Sequence, residues 1–111
     1  MSLSAGDIAH VTDLFSEIPD LTTRRMFGGL GLYCGGTIFA LALSDGRLML
    51  KAPEGPFAER MAALGGQPWT YTRKTGAQSV MPYWTVPDEC LDDPQALAAL
   101  AREAIAHLRD P

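Results

Sequence analysis

The chain has 111 residues, of which 47% are hydrophobic and 20% are charged, and its formal net charge is −4. These values are typical of one folded domain, and no apolar run approaches the ~20 residues that cross a bilayer. The acidic balance disfavours non-specific binding to nucleic acid, which depends on lysine and arginine neutralising phosphates. We therefore expect a single cytoplasmic domain over residues 1–111, without a secretory leader or a membrane partner.

The charges are unevenly distributed along the chain. Residues 24–74 hold seven lysines and arginines against three acids, whereas residues 1–23 hold four acids and no lysine or arginine. Residues 75–111 hold six acids and two arginines. Two interpretations follow: a local basic patch on the middle of the chain, or charge balance within the molecule, which we favour.

The first predicted element is an amphipathic helix over residues 4–18. Ser4 and Asp7 have the spacing of a capping box at its start. Apolar residues recur at the three-and-four spacing of one helical face, namely Ile8, Val11, Leu14, Phe15 and Ile18. Pro19 ends the helix.

A meander of three strands follows, with the sequence RRMFGGLGLYCGGTIFALALSDGRLMLKA over residues 24–52. The glycines of residues 24–33 predict one bulged or bent strand, because glycine relieves steric limits where the backbone bends. Alternating apolar residues predict the next strands over residues 37–43 and 47–52, after glycine turns at 34–36 and 44–46.

The second half of the chain adds a helix and two strands, over residues 57–64, 69–73 and 78–84. Pro82 removes a donor from the last strand, so that strand lies at an edge or carries a bulge. Residues 88–93 predict an acidic connector, and Asp93 caps a final helix that begins at Pro94. The order α-β-β-β-α-β-β-α predicts an α+β fold: a two-layer sandwich with a five-stranded antiparallel sheet and helices on one face.

Strand alternation divides the predicted sheet into two unlike faces. Large apolar side chains, including Phe39, Leu41 and Leu43, predict the face that packs under the helices. The opposite face is mixed, and we interpret it as a subunit or partner interface, with a half-exposed sheet face as the alternative. The candidate interaction surface comprises Arg24, Arg25, Ile38, Ala40, Ala42, Arg47, Met49, Lys51, Arg73 and Lys74. On this interpretation, Ala40→Glu breaks the interface and leaves the monomer folded.

No motif predicts a catalytic, cofactor or metal site. The glycine run matches no phosphate-binding loop, and a strand follows it where a phosphate-binding helix would begin. Cys34 and Cys90 lack the paired Cys/His spacing of a zinc site and are expected as free thiols. The acids of residues 88–93 lack the spacing and glycine of a calcium loop. We expect a protein without cofactor or metal that is not an enzyme.

Aromatic residues near the second pair of strands allow two interpretations. They are Trp69, Tyr71, Tyr83 and Trp84, interleaved with Arg73 and Lys74. Single-stranded nucleic acid stacks on aromatics beside cations, but aromatics on a hairpin are more often cross-strand pairs within a core. We favour the cross-strand pairs.

The stretch over residues 24–52 resembles the opening of the TfoX N-terminal domain family, with its basic-Met-Phe-Gly-Gly run, Gly-hydrophobic-Tyr step and Leu-x-Leu-Lys hairpin end. The later WTY, MPYW and VP…LDDP stretches, within residues 69–94, are similar to the same family. The resemblance covers residues 10–109 and implies a fold related to secretion chaperones, which commonly dimerise. It also implies a role in regulating competence and DNA transformation, as a transcriptional co-regulator.

The leading hypothesis is therefore a non-enzymatic protein-interaction domain that forms a homodimer and contacts a protein partner, such as the transcription machinery. A direct nucleic-acid-binding module using the basic middle segment is the first alternative. A small-ligand binder or unrecognised enzyme is the second, and it requires a concave pocket lined by convergent polar groups.

Overall fold

The computed structural model describes residues 3–26 and 28–109, which form one antiparallel six-stranded sheet and four helices. The strands are β1 (Leu21–Met26), β2 (Gly29–Cys34), β3 (Thr37–Ala42), β4 (Leu48–Lys51), β5 (Pro68–Thr72) and β6 (Gln78–Thr85). The helices are α1 (Ala5–Leu14), α2 (Pro56–Ala63), α3 (Asp88–Leu91) and α4 (Pro94–Arg109). The strand order β1-β2-β3-β4-β6-β5 makes β1 and β5 the edges. The predicted α+β class is confirmed.

The prediction of five strands is wrong because the glycine-rich segment is a hairpin. Residues predicted as one bent strand form β1 and β2, which pair from Met26 opposite Gly29. Gly28 has a φ of 73°, a conformation that glycine adopts without strain and that reverses the chain here. Residue 27 of the predicted strand lies outside the described residues. The β1–β2 pairing has a regular register, and a register shift occurs instead in the β2–β3 pairing, opposite Leu32 and Tyr33, with the extra residue in β3 rather than in the glycine-rich segment.

The predicted starts of the first and last helices are confirmed, but the first helix is shorter than predicted. The Ser4 hydroxyl accepts the Asp7 N–H and the Asp7 carboxylate accepts the Ser4 N–H, both at 3.1 Å, so the capping box is confirmed. Helix α1 ends at Leu14 rather than at residue 18. The Asp93 carboxylate accepts the N–H groups of two residues in the first turn of α4, at 3.2 Å each, as predicted. Residues 88–91, expected as a connector, form the short helix α3.

Strand β6 shows how Pro82 is accommodated inside a sheet. The strand is interior, between β4 and β5, so the edge alternative is wrong. The register passes from Trp69 opposite Met81 to Pro68 opposite Trp84, and Pro82 lies in that irregularity. Because Pro82 lies within the irregularity, its missing N–H removes no hydrogen bond from the regular pairing of β5 with β6. The predicted bulge in this strand is therefore confirmed.

The helices cover one face of the sheet and form what we call the helix-side core. Its centre includes Phe15 and Phe39, whose rings meet edge to face at 5.4 Å. Helix α4 packs against β3, and small residues of both elements, including Ala40 and Ala104, are fully buried in this core. Small side chains at these positions allow a close approach of helix and sheet.

The predicted faces of β3 require a correction. The pairs Leu32 with Ala40 and Tyr33 with Ile38 skip Phe39, so Phe39 is the bulged residue. Phe39 and Ala40 consequently both belong to the helix-side core, and the alternation is reversed after them. Ala40 and Ala42, expected on an interface, are 0% and 3% exposed under the helices. Ala40→Glu would therefore place a carboxylate in the core rather than disrupt an interface.

Candidate interaction face of the sheet

A second hydrophobic cluster lies on the sheet face opposite the helix-side core, and we call this surface the second face. Leu41, Leu43, Met49 and Tyr83 are buried at its centre, with exposures of 0–7%. Met26, Ile38, Trp69 and Met81 pack around them and are half-buried. All eight residues come from strands of the sheet or directly follow one, and none comes from a described helix. The described residues that pack around the central side chains therefore belong to the sheet as well.

The strand register brings these side chains together. Leu41 lies opposite Met49, and Trp69 lies opposite Met81. Gly31 of β2 leaves space beside them, since a Cβ at that position would be 2.9 Å from the Met26 methyl group. The same Cβ would be 3.2 Å from Cδ1 of Ile38. The glycine therefore allows two apolar side chains from neighbouring strands to pack over β2.

Three of the four predicted aromatic residues meet on the second face. The ring centroid of Trp69 lies 6.2 Å from that of Tyr71 and 6.4 Å from that of Tyr83, both edge to face. Burial raises the pKa of the Tyr83 phenol, and the nearby Tyr33 phenol raises this pKa further. Trp84 lies opposite Leu50 in the helix-side core and contributes nothing here. The expected cross-strand aromatic pairing is confirmed for Trp69 and Tyr83.

Four of the ten predicted surface residues share the second face. Arg24 lies opposite Gly31, and Lys51 lies opposite Tyr83, so both cations border the apolar cluster. Neither cation forms an ion pair within residues 3–26 and 28–109. Ile38 is half-buried at the surface, whereas Met49 is fully buried and belongs to the interior of the cluster.

The structure separates the remaining predicted residues from this face. Arg25 lies opposite Leu30 of the helix-side core, and its Nη1 donates to a backbone carbonyl before α1 at 3.4 Å. Arg47 forms an ion pair with Asp45 at 2.8 Å in the β3–β4 turn. Arg73 and Lys74 are exposed in the turn that joins β5 to β6. Ala40 and Ala42 are buried in the helix-side core, as described above.

Sequence reasoning did not place four apolar residues on the second face, namely Leu41, Leu43, Trp69 and Met81. Leu41 and Leu43 were assigned to the helices because the alternation was followed through Phe39 without a bulge. Trp69 and Met81 were not grouped with β3 because the pairing of β6 with β4 is not evident from the sequence. The available signal was the spacing of residues 69, 71, 81 and 83: alternate residues of a strand share a face, so each pair lies on one face of its strand.

Both cysteines and His107 contact other parts of the fold. The Cys34 thiol donates to the Pro19 carbonyl at 3.2 Å, and Arg109 of α4 donates to the Cys34 carbonyl at 2.9 Å. The His107 ring stacks on Phe57 at 5.4 Å. Burial, together with nearby acids, raises the pKa of the Cys90 thiol. Both cysteines are free thiols.

Two further findings concern ligands and membranes. Among residues 3–26 and 28–109, no group of three His, Cys, Asp or Glu side chains is placed to hold a metal ion. In the same part of the chain, no helix has the length and apolar character needed to span a bilayer.

Comparison with known proteins identifies the family. The model of the TfoX N-terminal domain matches residues 13–108, which is most of the chain. The chain therefore belongs to the TfoX N-terminal domain family. No curated protein matches it.

Proposed function

We propose that this TfoX N-terminal domain is a non-enzymatic protein-interaction domain that pairs with a second copy through the second face. In the same proposal, the pair acts as a regulator or co-regulator linked to competence and transcription. The regulatory role rests on the family resemblance, and the pairing rests on the shape and chemistry of the second face.

One observation carries the pairing: an apolar cluster on a sheet face that no described helix covers. The half-buried ring of Met26, Ile38, Trp69 and Met81 surrounds buried side chains, and Arg24 and Lys51 border it. An apolar centre with a polar rim is the usual anatomy of a protein–protein interface. A two-fold dimer places the same patch on both copies, so a single cluster of this kind provides both halves of the contact.

Sedimentation velocity over a protein concentration range tests the pairing. The unmodified protein is expected to dimerise within the micromolar range, and Ile38→Asp is expected to weaken the dimer by at least about tenfold, because a charge enters an apolar contact. Val80→Asp is the matched control because Val80 is 71% exposed. Val80 pairs with Thr70 of β5, and neither residue belongs to the apolar cluster of the second face. Far-UV circular dichroism checks that both variants fold. A wild-type monomer at several hundred micromolar refutes the pairing.

The regulatory part has its own test in the native host. Strains that carry Ile38→Asp or Val80→Asp at equal protein level are compared for transformation frequency. We expect a reduced frequency for the first variant only. Equal frequencies in both strains, with the dimer lost in one of them, contradict the link between pairing and competence.

A single-stranded nucleic acid is the second candidate ligand of the same face. The observation favouring it is that Trp69 and Tyr71 lie on the face that also carries Arg24 and Lys51. Base stacking on an aromatic contributes roughly 1–3 kcal/mol, so Tyr71→Ala should weaken binding of an oligonucleotide of about 15 nucleotides roughly tenfold. Leu91→Ala, at an exposed position outside the second cluster, is the control. Absence of binding at low salt excludes this candidate.

A further inference from the structure

A groove runs along the helix layer between α1, the β3–β4 turn and α3, and we call it the α1–α3 groove. It consists of two adjoining depressions of about 670 and 550 Å³. Asp45, Gly46, Leu48 and Leu91 line both depressions, so the two form one trough that passes the β3–β4 turn. The groove lies on the helix side of the sheet, opposite the second face, because Leu48 belongs to the helix-side core.

The groove combines apolar side chains with polar ones such as Ser44, Gln67 and Thr85. Ala42 and Leu48 form the floor at the ends of β3 and β4, and Val11 and Leu14 of α1 form one wall. Helix α1 contains no buried residue; Val11 and Leu14 pack partly against the helix-side core and stay partly exposed where they line the groove. Leu91 of α3 projects from the other wall and is 40% exposed. The helix layer is therefore incomplete at this place.

The rim of the groove is strongly acidic. Five carboxylates line it, from Asp7, Asp45, Asp88, Glu89 and Asp92. Arg47 also lines the groove and is paired with Asp45 at 2.8 Å, and His10 lines the same depression as Asp7. The acids still outnumber these two side chains, so a partner that enters the groove meets a net negative potential.

We propose that the α1–α3 groove binds a basic amphipathic helix from a protein partner of different sequence. A helix fits because the gap lies in a layer of helices and is walled by two of them, whereas an added strand would require an edge of the sheet, at β1 or β5. Lysines or arginines on the helix pair with the acidic rim, and its apolar stripe covers Val11, Leu14 and Leu91.

A second copy of the chain is a poor occupant. Of the four described helices, α1 and α3 carry no lysine or arginine, and Arg60 of α2 is paired with Glu103 of α4. Helix α4 carries two arginines, one of which is held by the Cys34 carbonyl. The proposal is thus independent of the dimer, which uses the opposite face of the sheet, and either can fail without the other.

The test uses a fluorescein-labelled amphipathic peptide of leucines and lysines, with about 14 residues or roughly four helical turns. Two control peptides carry glutamate in place of lysine, or the same composition in a non-amphipathic order. Fluorescence anisotropy with the full chain should detect the amphipathic lysine peptide only. Its affinity should fall as salt rises, because the rim charges are screened.

Matched variants locate the site. Leu91→Lys should weaken binding at least about tenfold, because it removes an apolar anchor and opposes the peptide charge. Val80→Lys makes a similar change at an exposed aliphatic residue outside the groove and should alter affinity less than about twofold. Asp92→Asn provides a second variant without a packing change, and it should weaken binding at low salt more than at high salt.

Several outcomes overturn the proposal. They are absence of binding at low salt, equal binding of either control peptide, or equal weakening by Leu91→Lys and Val80→Lys. Amide chemical shifts that move on the second face, around Trp69 and Met81, would assign the peptide to that surface and also contradict it. Peptide binding by a dimer-deficient Ile38→Asp variant is expected, since the two surfaces are on opposite faces.

Discussion

Replacing Ala40 by leucine distinguishes the two faces of β3 directly. Ala40 has no exposed surface and lies where α4 packs against the sheet. A leucine adds three carbon atoms to a closed site, and overpacking of this kind typically costs 1–3 kcal/mol, so we expect a loss of about 2 kcal/mol. If Ala40 lay on an open interface, as simple alternation predicts, the same substitution would be nearly neutral.

Urea denaturation at a fixed protein concentration measures this loss. With a denaturant slope of about 2 kcal/mol per M, a loss of about 2 kcal/mol lowers the unfolding midpoint by about 1 M and leaves the slope unchanged. Ala99→Leu is the matched control, because Ala99 is exposed on α4 and the same change there should remain within about 0.5 kcal/mol. Fixing the concentration matters because dimerisation would add its own stabilisation.

The result that refutes the reasoning is a midpoint for Ala40→Leu equal to that of Ala99→Leu. Such a result would mean that the Phe39 bulge does not turn Ala40 towards the helices. The position of Leu41 and Leu43 on the second face would then be wrong as well, since both follow from the same shift in alternation.

Three further predictions address local features. Gly29→Ala should destabilise the fold by more than about 2 kcal/mol, because the added Cβ would meet the rigid backbone of Ala42. Gly31→Ala should destabilise it less, because its Cβ would meet the flexible end of the Met26 side chain. Thermal unfolding of both variants checks this order. The Ser4 N–H and, after it, the Ser4 hydroxyl lower the pKa of Asp7, so Ser4→Ala, which keeps the N–H, should raise this pKa only part of the way towards its ordinary value, as carboxyl NMR titration will show. Because that folded-state pKa is lowered, its stabilisation is present at neutral pH and is lost as pH falls through it; an ordinary Asp7 pKa in the unmodified protein contradicts the capping assignment. Arg60→Ala should change stability by less than about 1 kcal/mol, since its ion pair is solvent-exposed, and a larger change in urea midpoint would contradict this.

Local signals in the sequence were sufficient for several turns and for the starts of the first and last helices, although not for the turn at Gly28 or for α3. The capping box at Ser4, the cap at Asp93 and the glycine turn at Gly46 depend on a few neighbouring residues, and each occurs as predicted. The family signature over residues 24–94 is likewise a property of the sequence, and it identified the family that matches residues 13–108.

Only the tertiary structure decided which residues face which partner. One bulged residue, Phe39, reverses the alternation of β3, and nothing in residues 37–43 marks it, because the bulge depends on the register with β2. The pairing of β6 with β4, which brings Tyr83 beside Lys51, is likewise a non-local choice. The same holds for the α1–α3 groove, whose walls are 80 positions apart in sequence at Val11 and Leu91. The sequence by itself determined the family and most of the local elements, whereas both candidate interaction surfaces exist only through contacts between distant segments.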